Sequence, residues 1–375
     1  MLKILDRYII RKFLSTFFFM LGVIMLLAMV FDIASRLPEF ISNQAPIKAI
    51  IFDYYFNFLL YYGNTFSSMI IFISVIWFTA KMAQESEIIP MLNSGRPFIR
   101  IIRPYMIAAT ILMLMSLVLN HFVLPRANRV RLDFEESFYR DRLVVENYHA
   151  EFPGNELVHY ASYNSQESII NDFVIERYDN KNRLIHFLKA RTATVDSAKP
   201  NYWHLTDVFE RKVTYLDTLK LNLKIQSKGI DQKIQLSEVH KKDTILPYKI
   251  EDMAIRDNIA EAMTYTELKQ FIRKEKEKGN ASVPTFEIEL YQRTSYPFAT
   301  YILTLIGVSV SSRKKRGGIG VNIAIGLLFV FIYIFAMKVT TVAATTVGFP
   351  PVAAVWIPNV IFGILAIFLY RIAPK

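Results

Sequence analysis

Residues 13–31 read FLSTFFFMLGVIMLLAMVF, a run of 19 residues without a charged side chain. The hydrocarbon core of a bilayer is about 30 Å thick, and a helix of roughly 20 apolar residues crosses it. This run therefore predicts a membrane-spanning helix, and it decides the class of the fold. Further uncharged runs follow at 54–80, 104–125, 294–312, 317–337 and 339–370.

The last of these runs is interrupted by Gly348-Phe349-Pro350-Pro351, which divides it between the end of a fifth helix and a sixth helix from about Val352. Charges are dense from Arg126 to about Thr285, and no run in that stretch reaches spanning length. We therefore predict an α-helical membrane protein with six spans in a 3+3 arrangement around a soluble insert. Its expected domains are residues 1–125, 126–285 and 286–375.

The insert has the pattern of short β-strands separated by turn residues. Residues 187–195 alternate and are rich in β-branched side chains, and further strands are expected at 202–205, 208–216 and 219–225. This pattern favours an antiparallel sandwich or jelly roll. Between Thr264 and Lys278 the period becomes helical, with Thr264 or Thr266 as the expected N-cap.

The orientation follows from lysine and arginine in the short loops, because these residues are retained on the cytoplasmic side. One side carries fourteen of them and the other carries only Arg36 and Lys48. Both termini are thus expected in the cytoplasm and the insert outside it. The fourteen are Lys3, Arg7, Arg11, Lys12, Lys81, Arg96, Arg100, Arg103, Arg313, Lys314, Lys315, Arg316, Arg371 and Lys375.

Composition excludes several classes of function. The net charge is +11, but fourteen of the 44 basic residues are explained as topology determinants, so a nucleic-acid partner is not expected. The sequence contains no cysteine and no HExxH motif, so we expect no thiol chemistry and no metalloprotease site. It also lacks a GxxxxGK[ST] phosphate loop, so we expect no ATP site of that type in this chain. No nucleophile and base form a recognisable pair, which makes a membrane enzyme a distant alternative.

Few charged residues lie near the expected spans. Asp32 and Arg36 are four residues apart near an outer membrane face, where they can pair with each other, and Lys338 lies toward the outer end of the fifth helix. Their alternative role is contact with an anionic headgroup. No carboxylate occupies the middle of a span, which disfavours an ion-coupled carrier.

Residues 84–95 form a short amphipathic segment between the second and third spans. Ser86 is the expected helix cap, Glu87 lies in the expected first turn near the positive end of the helix dipole, and Gly95 can supply the left-handed C-terminal turn. Such a helix is either an interfacial element or a contact for a cytoplasmic motor.

With these motifs in order, the sequence resembles the lipopolysaccharide transport permease family, the LptF/LptG (YjgP/YjgQ) type, over nearly the whole chain. The opening and the GFPP loop are more similar to the LptG half of the pair. The motifs that carry the resemblance are LDRYI at 5–9, SEI at 86–88, SG at 94–95, RP at 103–104, ARTA at 190–193, WHL at 203–205, GFPP at 348–351 and WIP at 356–358.

The resemblance implies a permease subunit of an ABC transporter in the inner membrane of a Gram-negative bacterium, not itself an enzyme. Its partners would be a cytoplasmic ATPase dimer that binds ATP and Mg²⁺, a sister permease, and a single-span jelly-roll protein (LptC-like). The chain itself would hold no cofactor. The complex would extract lipopolysaccharide and pass it through a periplasmic jelly roll to a bridge.

The resemblance also implies roles for individual residues. Glu87 would contact the ATPase, with Glu85, Ser86 and Gly95 in the same coupling helix. Pro90 departs from the family pattern there, because proline inside a helix is unfavourable beyond the first turn. Lipid headgroups would meet basic residues that match the family by region only: Arg36, Arg126, Arg129, Arg131 and Lys338.

Two rival functions remain. An ion-coupled secondary carrier for a smaller lipid would depend on the proton gradient and not on ATP. A non-transporting membrane scaffold would use the insert only to assemble partners.

Overall fold

The computed structural model describes residues 3–93, 97–138, 144–152, 154–164, 168–196, 201–215, 232–248, 258–280, 282–312 and 318–373. The chain divides into two compact units. The helical unit comprises Met1–Arg140, Ala260–Lys269 and Pro284–Lys375, and the β unit comprises Asp141–Ile259 and Gln270–Val283. The helical unit thus continues past the expected boundary at residue 125.

The helices α1 to α7 precede the β-strands and lie between Ile4 and Phe138. Two π-helical turns, Ile50–Tyr55 and Leu119–Val123, join α2 to α3 and α6 to α7. The helices are α1 (Ile4–Ser42), α2 (Ile47–Ala49), α3 (Phe56–Thr65), α4 (Ser67–Gln84), α5 (Ile88–Asn93), α6 (Phe98–Val118) and α7 (Leu124–Phe138).

The remaining helices follow the β-strands in the sequence. The long helix α10 contains the run predicted as the fourth span, and the break between α11 and α12 falls at the Gly-Phe-Pro-Pro motif, as expected. The helices are α8 (Ile259–Ala262), α9 (Tyr265–Glu277), α10 (Val283–Ser311), α11 (Gly318–Thr346) and α12 (Pro351–Ile372).

Within the described residues, five helical segments are long and apolar enough to cross a membrane. The helix α10 has 29 residues but lies outside this set, because its hydroxyl-bearing and tyrosine side chains lower its hydropathy. The chain is therefore a multi-pass membrane protein with an inserted β unit. The five segments are Ile4–Ser42, Ser67–Gln84, Phe98–Phe138, Gly320–Thr346 and Pro351–Ile372.

The helical unit has apolar cores on both sides of α4. On one side α1 and α6 pack against it through the rings of Phe13, Phe78 and Tyr105, with centroids of Phe78 and Tyr105 5.2 Å apart. On the other side α11 approaches closely at Gly326, where a Cβ atom would overlap Cδ1 of Ile76. Small residues allow this backbone approach, as at many helix contacts in membranes.

The β unit contains a six-stranded antiparallel sheet in which consecutive strands are neighbours. One face buries an aromatic core centred on Trp203 and Phe173, whose rings stack at 5.5 Å and are fully buried. The strands are β1 (Val144–Phe152), β2 (Glu156–Asn164), β3 (Ile169–Tyr178), β4 (Leu184–Val195), β5 (Tyr202–Tyr215) and β6 (Gln232–Ile245).

The sheet confirms the strand at 187–195 and corrects the next two. The strands expected at 202–205 and 208–216 are one continuous strand, β5, because pairing with β4 and β6 is in register on both sides of Asp207. Asp207 has a positive φ of 48° within this strand. The strand expected at 219–225 lies outside the described residues.

The predicted helix after the strands is confirmed as α9. Thr264 is its cap: the Glu267 N–H donates to the Thr264 hydroxyl oxygen at 3.4 Å, and the Thr264 N–H donates to the Glu267 carboxylate at 2.8 Å. This reciprocal pair is a capping box. The hydrogen bond from the Thr264 N–H to its carboxylate holds the pKa of Glu267 below its usual range.

Candidate functional site

The predicted coupling helix begins later in the sequence than expected. It is α5, which begins at Ile88, so Glu87 precedes the helix and does not lie in its first turn. Ser86 does not take the capping position, because its backbone has a positive φ of 59° in the turn that follows α4. Glu85 pairs with Lys81 of α4 at 3.8 Å, and Gly95 lies outside the described residues.

The late start of α5 resolves the departure at Pro90. Counting from Ile88, Pro90 is the third residue of the helix. The first N–H groups of a helix have no intrahelical acceptor, so a proline there removes no helical hydrogen bond. Pro90 is therefore compatible with this helix because of where the helix begins.

Glu87 is held by the beginning of α1. The Tyr8 hydroxyl lies 3.1 and 3.2 Å from the two carboxylate oxygens, and Lys12 Nζ lies 3.6 Å from Oε2. Lys12 Nζ also donates to the Tyr8 hydroxyl oxygen at 2.9 Å. The carboxylate of Glu87 is thus fixed to α1 by a hydroxyl and an ammonium group while its side chain stays 32% exposed.

A second contact joins α1 to the residues that follow α5. Arg100 Nη2 lies 2.8 Å from Oδ2 of Asp6, whose side chain is 5% exposed, and the Lys3 N–H donates to the same oxygen at 2.9 Å. Charge-assisted hydrogen bonds of this length are among the stronger polar contacts in proteins. The first turns of α1 therefore contact the chain on both sides of α5.

Arg131, one of the predicted headgroup residues, is buried. Its Nη1 lies 2.6 Å from Oε1 of Glu135, and both side chains are less than 10% exposed. Its guanidinium also lies 4.7 Å from the ring centroid of Tyr61 and 3.8 Å from a carboxylate oxygen of Glu261. The guanidinium of Arg131 is therefore engaged in contacts within the helical unit.

The neighbouring arginines are more accessible. Arg129 is exposed and pairs with Glu267 at 2.9 Å, while Arg126 is exposed at the start of α7. Arg36 lies 3.4 Å from Glu39. The carboxylate of Asp32, which the sequence also offered as a partner for Arg36, accepts hydrogen bonds from two tyrosines, Tyr54 at 3.0 Å and Tyr55 at 3.2 Å.

Lys338 is exposed and lines a cavity of about 330 Å³ among α3, α4, α10 and α11. Much of the cavity wall is apolar, and the side chains of Ser68 and Gln292 add polar groups. The apolar part includes Met69, Leu303, Val330 and Met337. A cavity with an apolar wall and a single lysine among its lining residues can hold an aliphatic chain beside an anionic group.

A smaller and more polar cavity of about 170 Å³ adjoins the first and shares Thr65, Ser68, Gln292 and Tyr296 with it. Glu261, Glu289 and Arg293 line it. Burial, together with the nearby charge of Glu289, raises the pKa of Glu261. Arg293 is itself buried and donates to the carbonyl oxygens of Ala260 and Met263, which fixes α8 to α10.

Sequence reasoning missed the partners of Glu87. Tyr8 lies in a motif that carried the family resemblance, but 79 residues separate it from Glu87, and no local pattern links them. It also missed Arg293, which follows Glu289 by four residues on α10 and pairs with it at 3.1 Å. That spacing is a recognisable signal for a helical ion pair.

The sequence also matches the model of a known protein family. The family described as lipopolysaccharide export system permease LptF/LptG matches residues 7–372, which include most of the helical unit and the whole β unit. None of the curated proteins compared with the chain matches it. Because the match extends over nearly the entire sequence, the chain belongs to the LptF/LptG family of lipopolysaccharide export permeases.

Proposed function

We propose that this chain is one permease subunit of an ABC transporter that extracts lipopolysaccharide from the inner membrane and passes it to a periplasmic bridge. A separate cytoplasmic subunit hydrolyses the ATP. The observation that carries this proposal is the family match over residues 7–372. It is supported by the absence of a phosphate-binding loop from the sequence, since hydrolysis must then occur elsewhere.

In this proposal α10 is the remaining span, which gives six spans with both termini in the cytoplasm. Its 29 residues would extend about 43 Å as a helix, enough to cross the bilayer. The β unit is then periplasmic. The buried apolar face of its sheet supports a jelly roll that holds acyl chains during transfer.

The proposed partners are an ATPase dimer, a sister permease of the same family and a single-span jelly-roll protein. Glu87 is proposed to face the ATPase, together with Glu85, Ser86 and Gly95 of the same segment of the sequence. Its partial exposure beside α5 supports this role, because a contact residue must remain accessible. A basic side chain on the ATPase would then meet the free side of the carboxylate.

Lipopolysaccharide is proposed to bind with its acyl chains in an apolar seam between the two permeases, lined by the first and fifth spans. Lysine and arginine at the outer rim would bind its phosphates through charge-assisted hydrogen bonds. Lys338 is the best supported of the five headgroup candidates, because it lines the 330 Å³ cavity. Weaker candidates for phosphate contact are Arg36, Arg126 and Arg129. Arg131 could bind a phosphate only after breaking its ion pair with Glu135.

The experiment that tests this function is transport by the complex in proteoliposomes loaded with lipopolysaccharide. ATP should drive release of the lipid to an acceptor protein, and Glu87→Ala should separate hydrolysis from release while the protein still inserts into the membrane. Normal coupling in Glu87→Ala would contradict the proposed role of Glu87. Release without ATP would contradict the proposed transporter class.

A second candidate is an ion-coupled lipid carrier. It is favoured by one observation, the two carboxylates of Glu261 and Glu289 at the polar cavity beside the apolar one. Such a carrier would lose transport when the proton gradient is dissipated and would be indifferent to ATP. The same proteoliposomes, with a protonophore added, distinguish the two mechanisms. The scaffold alternative predicts no release in either condition.

A further inference from the structure

The start of α1 contacts the residue just before α5 and the first turn of α6, the next helix in the sequence. Before α5, Tyr8 and Lys12 contact Glu87, and after α5, Asp6 pairs with Arg100. All three α1 residues lie within its first nine positions. The coupling helix is therefore bracketed by two polar contacts to one helix end.

The first of these contacts has a defined direction. A tyrosine hydroxyl has one hydrogen to donate, and here the carboxylate of Glu87 lies 3.1 Å away to accept it. Its oxygen accepts from Lys12 Nζ at 2.9 Å. The ammonium group, the hydroxyl and the carboxylate thus form a chain in which each donor has its acceptor, and the charged ends strengthen the bonds between them.

This arrangement gives Glu87 a mechanical connection to α1. A glutamate beside a turn has several rotamers, and fixing its carboxylate removes that freedom. The helix α1 in turn packs on α4 and α6 through buried Phe13 and Phe17. Displacement of Glu87 therefore acts on α1 directly as well as on α5.

We propose that Asp6, Tyr8 and Lys12 are positioning residues that transmit movement at the coupling helix to α1, the first transmembrane helix. The inference rests on the proposed function, in which Glu87 contacts the ATPase and α1 lines the lipid seam. Tyr8 and Lys12 act through the carboxylate of Glu87, and Asp6 fixes the other side of α5 through Arg100.

The test is a mutant cycle in the reconstituted complex, read as ATP molecules hydrolysed per lipopolysaccharide released. Tyr8→Phe removes only the hydroxyl and should raise this ratio by about twofold to tenfold, which is what the net loss of one hydrogen bond converts to. Lys12→Met should act in the same direction and Lys12→Arg should restore coupling. Asp6→Asn should also raise the ratio.

Arg11→Met is the matched control, because Arg11 is the exposed residue next to Lys12 on α1, and it should keep the wild-type ratio. The variants Tyr8→Phe and Glu87→Gln should not be additive, since Tyr8 acts through Glu87. The thermal unfolding temperature of each purified variant should equal that of the wild type. This measurement separates a loss of coupling from a loss of the folded structure.

Two results would overturn the inference in different ways. If Glu87→Gln uncouples while Tyr8→Phe and Lys12→Met have the wild-type ratio, or if the effects of Tyr8→Phe and Glu87→Gln add, the positioning role is wrong and the proposed function stands. If Glu87→Gln itself retains the wild-type ratio, the proposed ATPase contact is wrong, and the positioning role fails with it.

Discussion

Arg131 and Glu135 lie one turn apart on α7 and form an ion pair of 2.6 Å in which both side chains are more than nine-tenths buried. Arg131 also contacts Tyr61 of α3 and Glu261 of α8. A buried guanidinium is tolerated only when its charge and its donors are matched in this way. The pair thus joins three separate segments of the helical unit.

Arg131→Ala should destabilise the helical unit by about 3–5 kcal/mol, because it removes the guanidinium that pairs with the buried carboxylate of Glu135. Arg129→Ala removes an exposed pair from the same helix and should cost about 1 kcal/mol or less. Thermal unfolding of the two variants in the same detergent measures the difference. Equal losses of stability in the two variants would show that the buried ion pair of Arg131 stabilises the protein no more than an exposed ion pair does.

The contact between α4 and α11 depends on the missing side chain at Gly326. Gly326→Val should lower stability by about 1–3 kcal/mol, because the added atoms overlap Ile76. Gly320→Val is a matched control on the same helix, since no atom lies within 4 Å of a Cβ there. Adding Ile76→Ala to Gly326→Val should recover part of the loss, and no recovery would place the strain elsewhere.

The β unit contains a carboxylate that makes its stability dependent on pH. Burial opposes ionisation of Glu210, but hydrogen bonds from Lys242 and His186 outweigh it and lower its pKa to about 2. A carboxyl group with a lowered pKa in the folded state stabilises it above its ordinary pKa of 4.5, and this contribution is lost as the pH falls toward about 2.

We therefore expect amide protection in β4, β5 and β6 to decrease between pH 4.5 and 2 in the wild type. Solvent screening limits the Glu210 contribution to about 1 kcal/mol. Hydrogen exchange of the full-length protein over this range measures it. Glu210→Gln should exchange faster at neutral pH and show a smaller change on acidification. If amide protection falls by the same amount on acidification in Glu210→Gln as in the wild type, other titrating groups cause the pH dependence.

Lys338 is predicted to contribute to lipid binding through its charge. Lys338→Glu should reduce the lipopolysaccharide that co-purifies with the complex, because it places a negative charge at a cavity proposed to receive a phosphate. Lys48→Glu makes the same change at another exposed lysine and should leave the bound lipid unchanged. Equal amounts of lipid in both variants would exclude Lys338 from the binding site.

Much of the architecture could be predicted from uncharged runs, because a bilayer requires a minimum length of apolar helix. The break at Gly348 and the capped helix after Thr264 followed from local chemistry. The union of 202–205 and 208–216 into one strand did not, since it depends on pairing with β4 and β6 rather than on the local residues Thr206 and Asp207.

The site residues were predicted less completely for a physical reason. The resemblance to the permease family identified Glu87 and Arg131 as residues of interest, but their partners are set by tertiary packing. Tyr8 reaches Glu87 across 79 residues, and Arg131 is buried only because α3 and α8 cover it. A basic residue near a membrane boundary has the same sequence pattern whether it binds a lipid or an internal carboxylate.

We propose that this permease works as part of an ATP-driven assembly. The most direct measurement is purification of the tagged full-length protein from its native membrane in mild detergent, with stable partners identified by mass spectrometry. We expect three proteins to co-purify with it: a P-loop ATPase, a second permease of the LptF/LptG family and a single-span jelly-roll protein. Recovery of the chain alone, or as a homo-oligomer without an ATPase, would contradict it.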